Sequence, residues 1–260
     1  MGEDIILKKP MIIAVTGKGG VGKTVITALL AITISKNYDY KMLLIDADPA
    51  HPHLSNMVKL IPEKSLEKIR NDVIDVSLKR EKNAKNLAQI IDLEVYNAIA
   101  ESKSYSLFTM GQPEGPGCFC PSNALLRRVI ESISYDFDLV LIDCEAGLEQ
   151  INRMVIESVD IVLIITDISL RSIETADSIR KSAKKFTNYK KLGVIINKVK
   201  GNIDSILKKL EYLNLPLLGQ IPEDPNIIES DLLGNSIIDI PDNSPSKSAI
   251  KSILGKVLSI

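Results

Sequence analysis

Short runs of apolar residues recur along the chain, and longer stretches with apolar positions at helical spacing separate them. Each run has the length of a β-strand, and most lack the alternation of a strand with one solvated face. Uninterrupted apolar runs of this length are typical of strands buried on both faces of a parallel sheet. The pattern predicts seven strands, at Met11–Val15, Met42–Ile45, Tyr105–Met110, Leu139–Ile142, Ile161–Thr166, Leu192–Ile196 and Leu217–Ile221.

Helical patterns fill most of the spaces between these runs. After Pro121, for example, apolar residues recur at helical spacing from Leu125 to Ile133, and proline suits a first helical turn. Strands that alternate with helices imply right-handed crossovers. The chain is therefore expected to form an α/β fold with a doubly wound, mostly parallel seven-stranded sheet flanked by helices.

Two segments break this alternation. Residues 62–103 carry two helical patterns in succession, Leu66–Leu78 and Leu87–Ile99, and no convincing strand, which predicts a helical insertion after the second strand. Ile240–Ser246 is rich in Pro, Ser and Asp and is interpreted as a linker. A last helix is expected at Ala249–Leu258, within the C-terminal segment 246–260.

Composition and charge narrow the class of protein. The 260 residues fit one large domain, 1–260, better than two independent cores. With 32 Lys+Arg against 33 Asp+Glu, the net charge of -1 predicts neither a nucleic-acid nor a membrane partner. Three cysteines are too few for a disulfide framework, the chain opens on acidic residues, and no apolar run approaches a membrane span. The expected location is the cytoplasm.

A glycine-rich segment follows the first predicted strand and precedes a helical run, which is the context of a phosphate-binding loop. Glycines let backbone N–H groups approach phosphate oxygens, and the helix N-terminus adds partial positive charge. Lys23 would reach the β- and γ-phosphates of ATP, and the Thr24 hydroxyl would ligate Mg²⁺. The nucleotide-binding residues predicted here are Gly17, Lys18, Gly19, Gly20, Val21, Gly22, Lys23, Thr24 and Val25.

A second lysine in this loop, Lys18, is not required for holding phosphate. The loop resembles the deviant Walker A loop of the MinD, ParA and nitrogenase iron protein family of ATPases. The resemblance implies a homodimer that hydrolyses ATP to ADP and phosphate, with Lys18 reaching the partner's nucleotide to neutralise developing charge. Val25 departs from the family, since many relatives carry a hydroxyl residue there that contacts the α-phosphate.

Polar residues at the ends of other predicted strands match the same family. The resemblance makes Leu44–Pro49 switch I, in which Asp48 orients the attacking water and Asp46 supports Mg²⁺ through its water shell. Asp143 would hold the Mg²⁺ water shell at the start of switch II. Asn197 would read adenine, and the Ile221–Asp224 loop, with Pro222 and Asp224, would lie on the other side of the base. Asp46 and Asn197 taken alone could equally be helix caps.

The third predicted strand leads into a segment dense in Gly and Pro that contains Cys118 and Cys120. One residue separates the two cysteines, so in an extended segment both thiolates can face the same way. Two thiolates are too few for a tetrahedral site, but two chains across a twofold axis would supply four. The spacing predicts Ni²⁺ or Zn²⁺ at a dimer interface, with inert thiols or a local disulfide as alternatives.

The segment Gly111–Cys120 resembles that of the CooC-type ATPases, as do Ile142–Glu149 and Arg171–Ala176. The resemblance covers essentially the whole chain. It implies an ATP-dependent metallochaperone that assists nickel insertion into carbon monoxide dehydrogenase or acetyl-CoA synthase, with metal bound between subunits. The alternatives are a MinD/ParA-like positioning ATPase and an iron–sulfur electron donor resembling nitrogenase iron protein.

Three further residues near the predicted switches, two histidines and one cysteine, have separate interpretations. His51 and His53 follow switch I, and neutral imidazole suits nickel, although paired histidines are also common on surface loops. Cys144 follows Asp143 directly and is interpreted as a small buried residue.

Overall fold

The computed structural model describes residues 9–48, 53–79, 93–111, 130–144 and 159–259. These residues build one eight-stranded sheet in the spatial order β3-β4-β2-β5-β1-β6-β7-β8. Every neighbouring pair is parallel except β3 with β4. The strands are β1 (Met11–Gly17), β2 (Met42–Ala47), β3 (Ala100–Glu101), β4 (Ser106–Thr109), β5 (Leu139–Cys144), β6 (Ile161–Thr166), β7 (Lys191–Val199) and β8 (Leu217–Pro222).

Seven helices connect or follow these strands within the described ranges. They are α1 (Lys23–Asn37), α2 (Leu54–Met57), α3 (Leu66–Lys79), α4 (Leu170–Phe186), α5 (Asp204–Tyr212), α6 (Pro225–Leu233) and α7 (Pro245–Leu258), with a 3₁₀ turn at Ile237–Asp239. Residues 93–97 and 130–134 are also helical. None of the helices in this part of the chain is long and apolar enough to cross a bilayer.

All seven predicted strands are present, and the prediction missed β3. This two-residue edge strand lies inside the segment predicted as a helical insertion, and it pairs antiparallel with β4. Two residues are too short to produce a hydrophobic pattern. The first helix predicted there corresponds to α3. Of the second, residues 93–97 are helical and 87–92 lie outside the described residues, as does most of the helix predicted after Pro121.

Alternate residues of the central strands face two separate hydrophobic cores. Ile12 and Ala14 of β1 belong to the core that contains α4 residues such as Ile173, whereas Ile13 and Val15 belong to the core formed with α1 and α7. Strands covered on both faces have no polar side, which explains the uninterrupted apolar runs in the sequence. Functional groups are therefore left to the strand ends.

The last helix begins at Pro245 rather than at Ala249. The Ser244 side chain accepts a hydrogen bond from the Lys247 N–H at 3.2 Å and so caps the helix. Serine followed by proline is a helix-start signal, although here it lay within a segment interpreted as a linker. The apolar face of α7 is buried against the sheet through Ile250, Ile253, Leu254 and Val257.

Candidate nucleotide site

The segment Gly17–Thr24 connects β1 to α1, as the sequence predicts. Gly22 caps α1 in the left-handed conformation, with φ 90°. A Cβ at this position would lie 2.6 Å from Nδ2 of Asn197, so a side chain would both strain the backbone and collide with β7. The loop therefore brings bare backbone N–H groups to the start of a fifteen-residue helix.

Three side chains hold the loop through its carbonyl oxygens. Asn197 Nδ2 donates to Val21 O at 2.9 Å, and Lys198 Nζ donates to Gly20 O at 3.0 Å. Lys23 Nζ donates more weakly to Lys18 O at 3.4 Å. These three contacts use only carbonyl oxygens of the loop and do not occupy its N–H groups.

A cavity of about 730 Å³ lies above the loop, a volume suited to a nucleotide. Its walls come from the phosphate-binding loop, switch I, α2, the end of β7 and the β8–α6 connection. The lining residues are Gly19, Gly20, Gly22, Lys23, Thr24, Val25, Asp48, His53, Met57, Asn197, Lys198, Pro222, Glu223, Asp224, Ile227, Ile228, Asp231, Leu232 and Ser246. Of the predicted site residues described, Gly17, Lys18, Val21, Asp46 and Asp143 are not among them.

Asp46 and Asp143 are direct neighbours across the sheet, because β2 pairs with β5 in that register. Both are almost fully buried. Asp46 accepts the N–H of Asp48 at 3.2 Å and of Leu54 at 3.1 Å. Asp143 accepts hydrogen bonds from the hydroxyls of Thr27, at 3.2 Å, and Thr24. The predicted switch carboxylates therefore meet directly behind the phosphate-binding loop.

The environment of this pair disfavours negative charge. Burial, followed by repulsion from Asp143, raises the pKa of Asp46 to about 7 despite the two N–H donors. Burial raises the pKa of Asp143 to about 6, against the hydrogen bond from Thr24 and the charge of Lys23. A divalent cation beside Thr24 would stabilise both ionised carboxylates. Hydroxyl and carboxylate oxygens are the hard ligands that Mg²⁺ prefers, so the donor set fits this ion.

The opposite end of the cavity contains a different kind of carboxylate. Asp224 caps α6 by accepting the Asn226 N–H at 3.0 Å, and its other oxygen accepts the Ser246 N–H at 2.9 Å. Burial acts to raise the pKa of Asp224, but these hydrogen bonds outweigh it and lower the pKa. Asp224 therefore connects α6 to α7 through hydrogen bonds. The sequence predicted only that it lies in the loop beside the base.

Sequence analysis missed the apolar wall at this end of the cavity. It consists of Met57 from α2 with Ile227, Ile228 and Leu232 from α6. Ile228 and Leu232 are unusually exposed for large apolar side chains, at 47% and 82%. The sequence does not distinguish these apolar positions from core positions, because their meeting with Met57 depends on the tertiary fold.

The residues proposed for metal chemistry are only partly described. His53 lines the cavity at the start of α2, whereas His51, Cys118 and Cys120 lie outside the described residues. Cys144 is buried, as interpreted, with Sγ 3.5 Å from Ile142 O, and burial raises the pKa of its thiol. Within the described ranges, no group of three or more His, Cys, Asp or Glu side chains is placed to hold a metal ion.

Comparison with known proteins identifies the family. The CbiA profile, described as the CobQ/CobB/MinD/ParA nucleotide binding domain, matches residues 12–237. An uncharacterized ATP-binding protein of Methanocaldococcus jannaschii is 35% identical, over 95% of this chain and 98% of that protein. The carbon monoxide dehydrogenase accessory protein CooC of Rhodospirillum rubrum is 32% identical, over 88% of this chain and 90% of CooC.

Solved structures give the same fold. The septum site-determining protein MinD of Pyrococcus horikoshii, solved in complex with Mg-ADP, matches with a TM-score of 0.65 and 23% identity over 96% of each chain. The phosphate-binding loop, the carboxylates behind it and the cavity above it agree with an ATP- and Mg²⁺-dependent activity. The chain thus belongs to the CobQ/CobB/MinD/ParA nucleotide-binding family and is an ATPase with the mostly parallel α/β P-loop fold of that family.

Proposed function

We propose that this ATPase is a metallochaperone that binds Ni²⁺ or Zn²⁺ through Cys118 and Cys120 at a dimer interface. It would assist nickel insertion into carbon monoxide dehydrogenase or acetyl-CoA synthase. The observation that carries the proposal is the 32% identity to CooC, which extends over nearly the whole of both chains. The paired cysteines in a Gly- and Pro-rich segment add a set of soft ligands.

In the proposed reaction, each part of the phosphate end of the cavity has one task. Lys23 turns from its weak 3.4 Å contact with Lys18 O to the β- and γ-phosphates. Thr24 ligates Mg²⁺, and Asp143 and Asp46 hold the ion's water shell from behind. Asp48, half-buried on the cavity wall, orients the water that attacks the γ-phosphate.

The other end of the cavity would take adenine. Asn197 Nδ2 donates one hydrogen to Val21 O, which fixes the orientation of the amide, and its Oδ1 is the atom that would accept a hydrogen bond from the base. Adenine offers an amino group as donor, whereas guanine offers a carbonyl oxygen at the corresponding position. Pro222 and the apolar wall would flank the ring. This arrangement favours ATP over GTP.

Lys18 would act on the nucleotide of the second subunit. Its neighbours Gly19 and Gly20 line the cavity of their own chain, but Lys18 does not. The reach of Lys18 to the partner's nucleotide is supported by the resemblance of its loop to the deviant Walker A loop. The γ-phosphate then gains a contact that ADP lacks, so ATP should favour the dimer.

The same twofold axis would bring two Cys118–Cys120 pairs together. Four thiolates satisfy a tetrahedral Zn²⁺ site, and nickel is also bound by nitrogen and sulfur ligands. Nucleotide and metal would thus favour the same assembly, and each should strengthen the binding of the other.

Two features favour this function over a MinD/ParA-like positioning ATPase. The apolar face of α7 is buried in the core, so this helix does not offer a membrane-binding surface. The basic residues of α4 are partly balanced, because Asp177 pairs with both Arg180 and Lys181. An iron–sulfur electron donor would hold iron at the cysteines and show visible absorption.

The test is metal content per chain, measured together with oligomer mass, in the presence of ATP or ADP. The proposal predicts one Ni²⁺ or Zn²⁺ per dimer, lost in Cys118→Ser and in Cys120→Ser while ATP binding remains. Cys144→Ala is the matched control and should keep the metal. If the variant that combines Cys118→Ser with Cys120→Ser retained one metal ion per dimer, the cysteine site would be wrong, and His51 and His53 would be the next ligands to test.

Measurements of membrane and DNA binding test the alternative function, that of a positioning ATPase. Co-sedimentation of the ATP form with anionic liposomes or with duplex DNA, by a protein that binds no nickel or zinc, would replace the metallochaperone proposal with a positioning role.

A further inference from the structure

The helix that follows the phosphate-binding loop contains two polar side chains in a fully buried stretch. Residues 25–34 of α1 are all buried, and only Thr27 and Thr33 among them are polar. Thr33 Oγ1 donates to Leu29 O at 2.7 Å. Thr27 Oγ1 donates to Lys23 O at 3.0 Å. A hydrogen bond to the carbonyl four positions earlier is a common contact of a buried threonine in a helix, so this contact alone indicates no function.

Thr27 differs from Thr33 because its hydroxyl also reaches a carboxylate. Thr27 Oγ1 lies 3.2 Å from Oδ1 of Asp143, which is 116 positions further along the chain. Leu141, two positions before Asp143 on β5, packs in the core formed with α1. Because side chains alternate along a strand, Asp143 is directed at the same helix. A hydroxyl carries one hydrogen, and an ionised carboxylate is the stronger of the two acceptors near Thr27.

The helix α1 therefore contacts Asp143 at two points. Thr24 and Thr27 are three positions apart, on one face of the helix, and the Thr24 hydroxyl also forms a hydrogen bond with Asp143. Thr24 lines the nucleotide cavity, whereas Thr27 is fully buried and is not among the lining residues. Thr27 can thus influence a bound ion only through Asp143.

We propose that Thr27 is a positioning residue for the Mg²⁺ site, whose hydroxyl holds the carboxylate of Asp143 in the orientation that receives the ion's water shell. A donor at Oδ1 opposes the negative charge of the carboxylate and restricts its rotation. The contact of Asp143 with the water shell rests on the proposed reaction. The metallochaperone assignment has no part in the inference.

The experiment measures the affinity for ADP by calorimetric titration, once in saturating Mg²⁺ and once in EDTA. The ratio of the two affinities reports how strongly the metal and the nucleotide support each other's binding, and it involves no hydrolysis. The variants are Thr27→Val, Thr27→Ser, Thr33→Val, Asp143→Asn, and Asp143→Asn combined with Thr27→Val.

These variants separate the hydroxyl from the shape of the side chain. Valine at position 27 keeps the shape of threonine and removes the donor, whereas serine keeps the donor and removes a methyl group. Thr33→Val is the matched control, because it removes a buried hydroxyl with the same backbone contact from the same helix.

In the wild type, Mg²⁺ should strengthen ADP binding by about 10²-fold, within the usual range for two coupled ligands. Thr27→Val should lower this ratio by about tenfold, a typical loss when the partner of a metal-binding group is removed. Thr27→Ser and Thr33→Val should keep the wild-type ratio. The affinity for ADP in EDTA should be the same in the wild type and in all three of these variants.

The combined variant tests whether Thr27 acts through Asp143. Once Asp143→Asn is present, Thr27→Val should lower the ratio no further, because the two residues act on one contact. An equal further loss would overturn the proposal, as would a wild-type ratio in Thr27→Val or a ratio equally low in Thr27→Ser or Thr33→Val. Weaker ADP binding by Thr27→Val in EDTA would also overturn it, because the phosphate-binding loop itself would then be disturbed.

Asp143→Asn distinguishes this inference from the proposed reaction. If that variant kept the wild-type ratio, Asp143 would not hold the water shell, and both the proposed role of Asp143 and that of Thr27 would be wrong. If Asp143→Asn lowered the ratio and Thr27→Val did not, only the role of Thr27 would be wrong.

Discussion

The two ends of the nucleotide cavity contain buried carboxylates in opposite electrostatic states. At the ends of β2 and β5, burial raises the pKa of Asp46 and Asp143 to about 7 and about 6. At the β8–α6 connection, N–H donors from Asn226 and Ser246 lower the pKa of Asp224. All three residues are at least nine-tenths buried, so exposure does not explain the difference.

The difference in pKa arises from the groups that surround each carboxylate. Asp224 is supplied with backbone and side-chain donors from two helices, and its charge is stabilised within the chain. Asp46 and Asp143 face each other, and neither the charge of Lys23 nor the hydrogen bonds that they accept offset the cost of burying their ionised forms. One end of the cavity is therefore completed by folding, whereas the other is completed by Mg²⁺ and nucleotide.

The largest effect is expected at the phosphate end, from Lys23→Ala. If Lys23 contacts the transferred phosphate as proposed, its loss should lower the hydrolysis rate by about 10²–10³-fold and weaken ATP binding. Phosphate release under saturating ATP measures the rate. Lys36→Ala is the control in the same helix, because Lys36 pairs with Asp242 on the surface. Near-normal turnover in Lys23→Ala would contradict the site.

A mixing experiment tests whether the phosphate end is completed by a second subunit. Lys18→Ala and Lys23→Ala should each be inactive alone. The first lacks the lysine that acts on the partner's nucleotide, and the second does not hold nucleotide in its own site. Their mixture should recover up to roughly a quarter of wild-type turnover, because half the dimers would be mixed and each would have one competent site. A mixture as inactive as its components would argue that Lys18 acts within its own chain.

The pH dependence of stability should distinguish the two ends. In the unfolded chain Asp46 ionises near 3.8, but in the folded chain its pKa is about 7. Between these values the folded state binds the extra proton, so this group's contribution to the free energy of unfolding falls as pH rises. The fall should amount to a few kcal/mol in total, since each pKa unit corresponds to about 1.4 kcal/mol.

Denaturant unfolding of the nucleotide-free protein from pH 5 to 8 measures this contribution. Asp46→Asn should become more stable relative to wild type as pH rises. Asp224→Asn should be less stable by a constant amount, about 1–2 kcal/mol for a lost cap, because the contribution of a lowered pKa is fully present above 3.8 and changes with pH only below that value. If the free energy of unfolding changed with pH in the same way in wild type and in Asp46→Asn, the proposed difference between the two ends of the cavity would be refuted.

The smallest effect is expected from Val25→Thr, which introduces the hydroxyl that many relatives carry at this position. Val25 lines the cavity, and threonine has nearly the same shape. One added hydrogen bond to the α-phosphate, worth about 1 kcal/mol, should strengthen ATP binding by about fivefold. Calorimetric titration with ATP measures the change. Unchanged or weaker binding would mean that the side chain at position 25 does not face the phosphate.

The features that could be predicted from the sequence are those that depend on neighbouring residues in the chain. Seven strands could be predicted because both faces of each are buried, and the phosphate-binding loop because its glycines and Lys23 serve a backbone geometry that is encoded locally. The strand β3 was missed because two residues carry no periodicity. The early start of α7 was missed because Ser244 was assigned to a linker.

Features that arise between distant segments could not be predicted in the same way. The pairing of Asp46 with Asp143 depends on β2 lying beside β5, an order that hydrophobic runs do not contain. The apolar wall requires α2 to meet α6. The structural role of Asp224 depends on Ser246, which is 22 positions away.

The most direct test of the metallochaperone proposal is activation of a nickel-free client. Nickel-deficient carbon monoxide dehydrogenase or acetyl-CoA synthase would be incubated with limiting Ni²⁺, Mg-ATP and this protein, and its activity followed over time. The wild type should activate at least one of the two enzymes faster than nickel alone, and Cys118→Ser and Asp48→Asn should not. Activation at the rate of free nickel for both enzymes, or full activation by the Cys118→Ser variant, would contradict the proposed function.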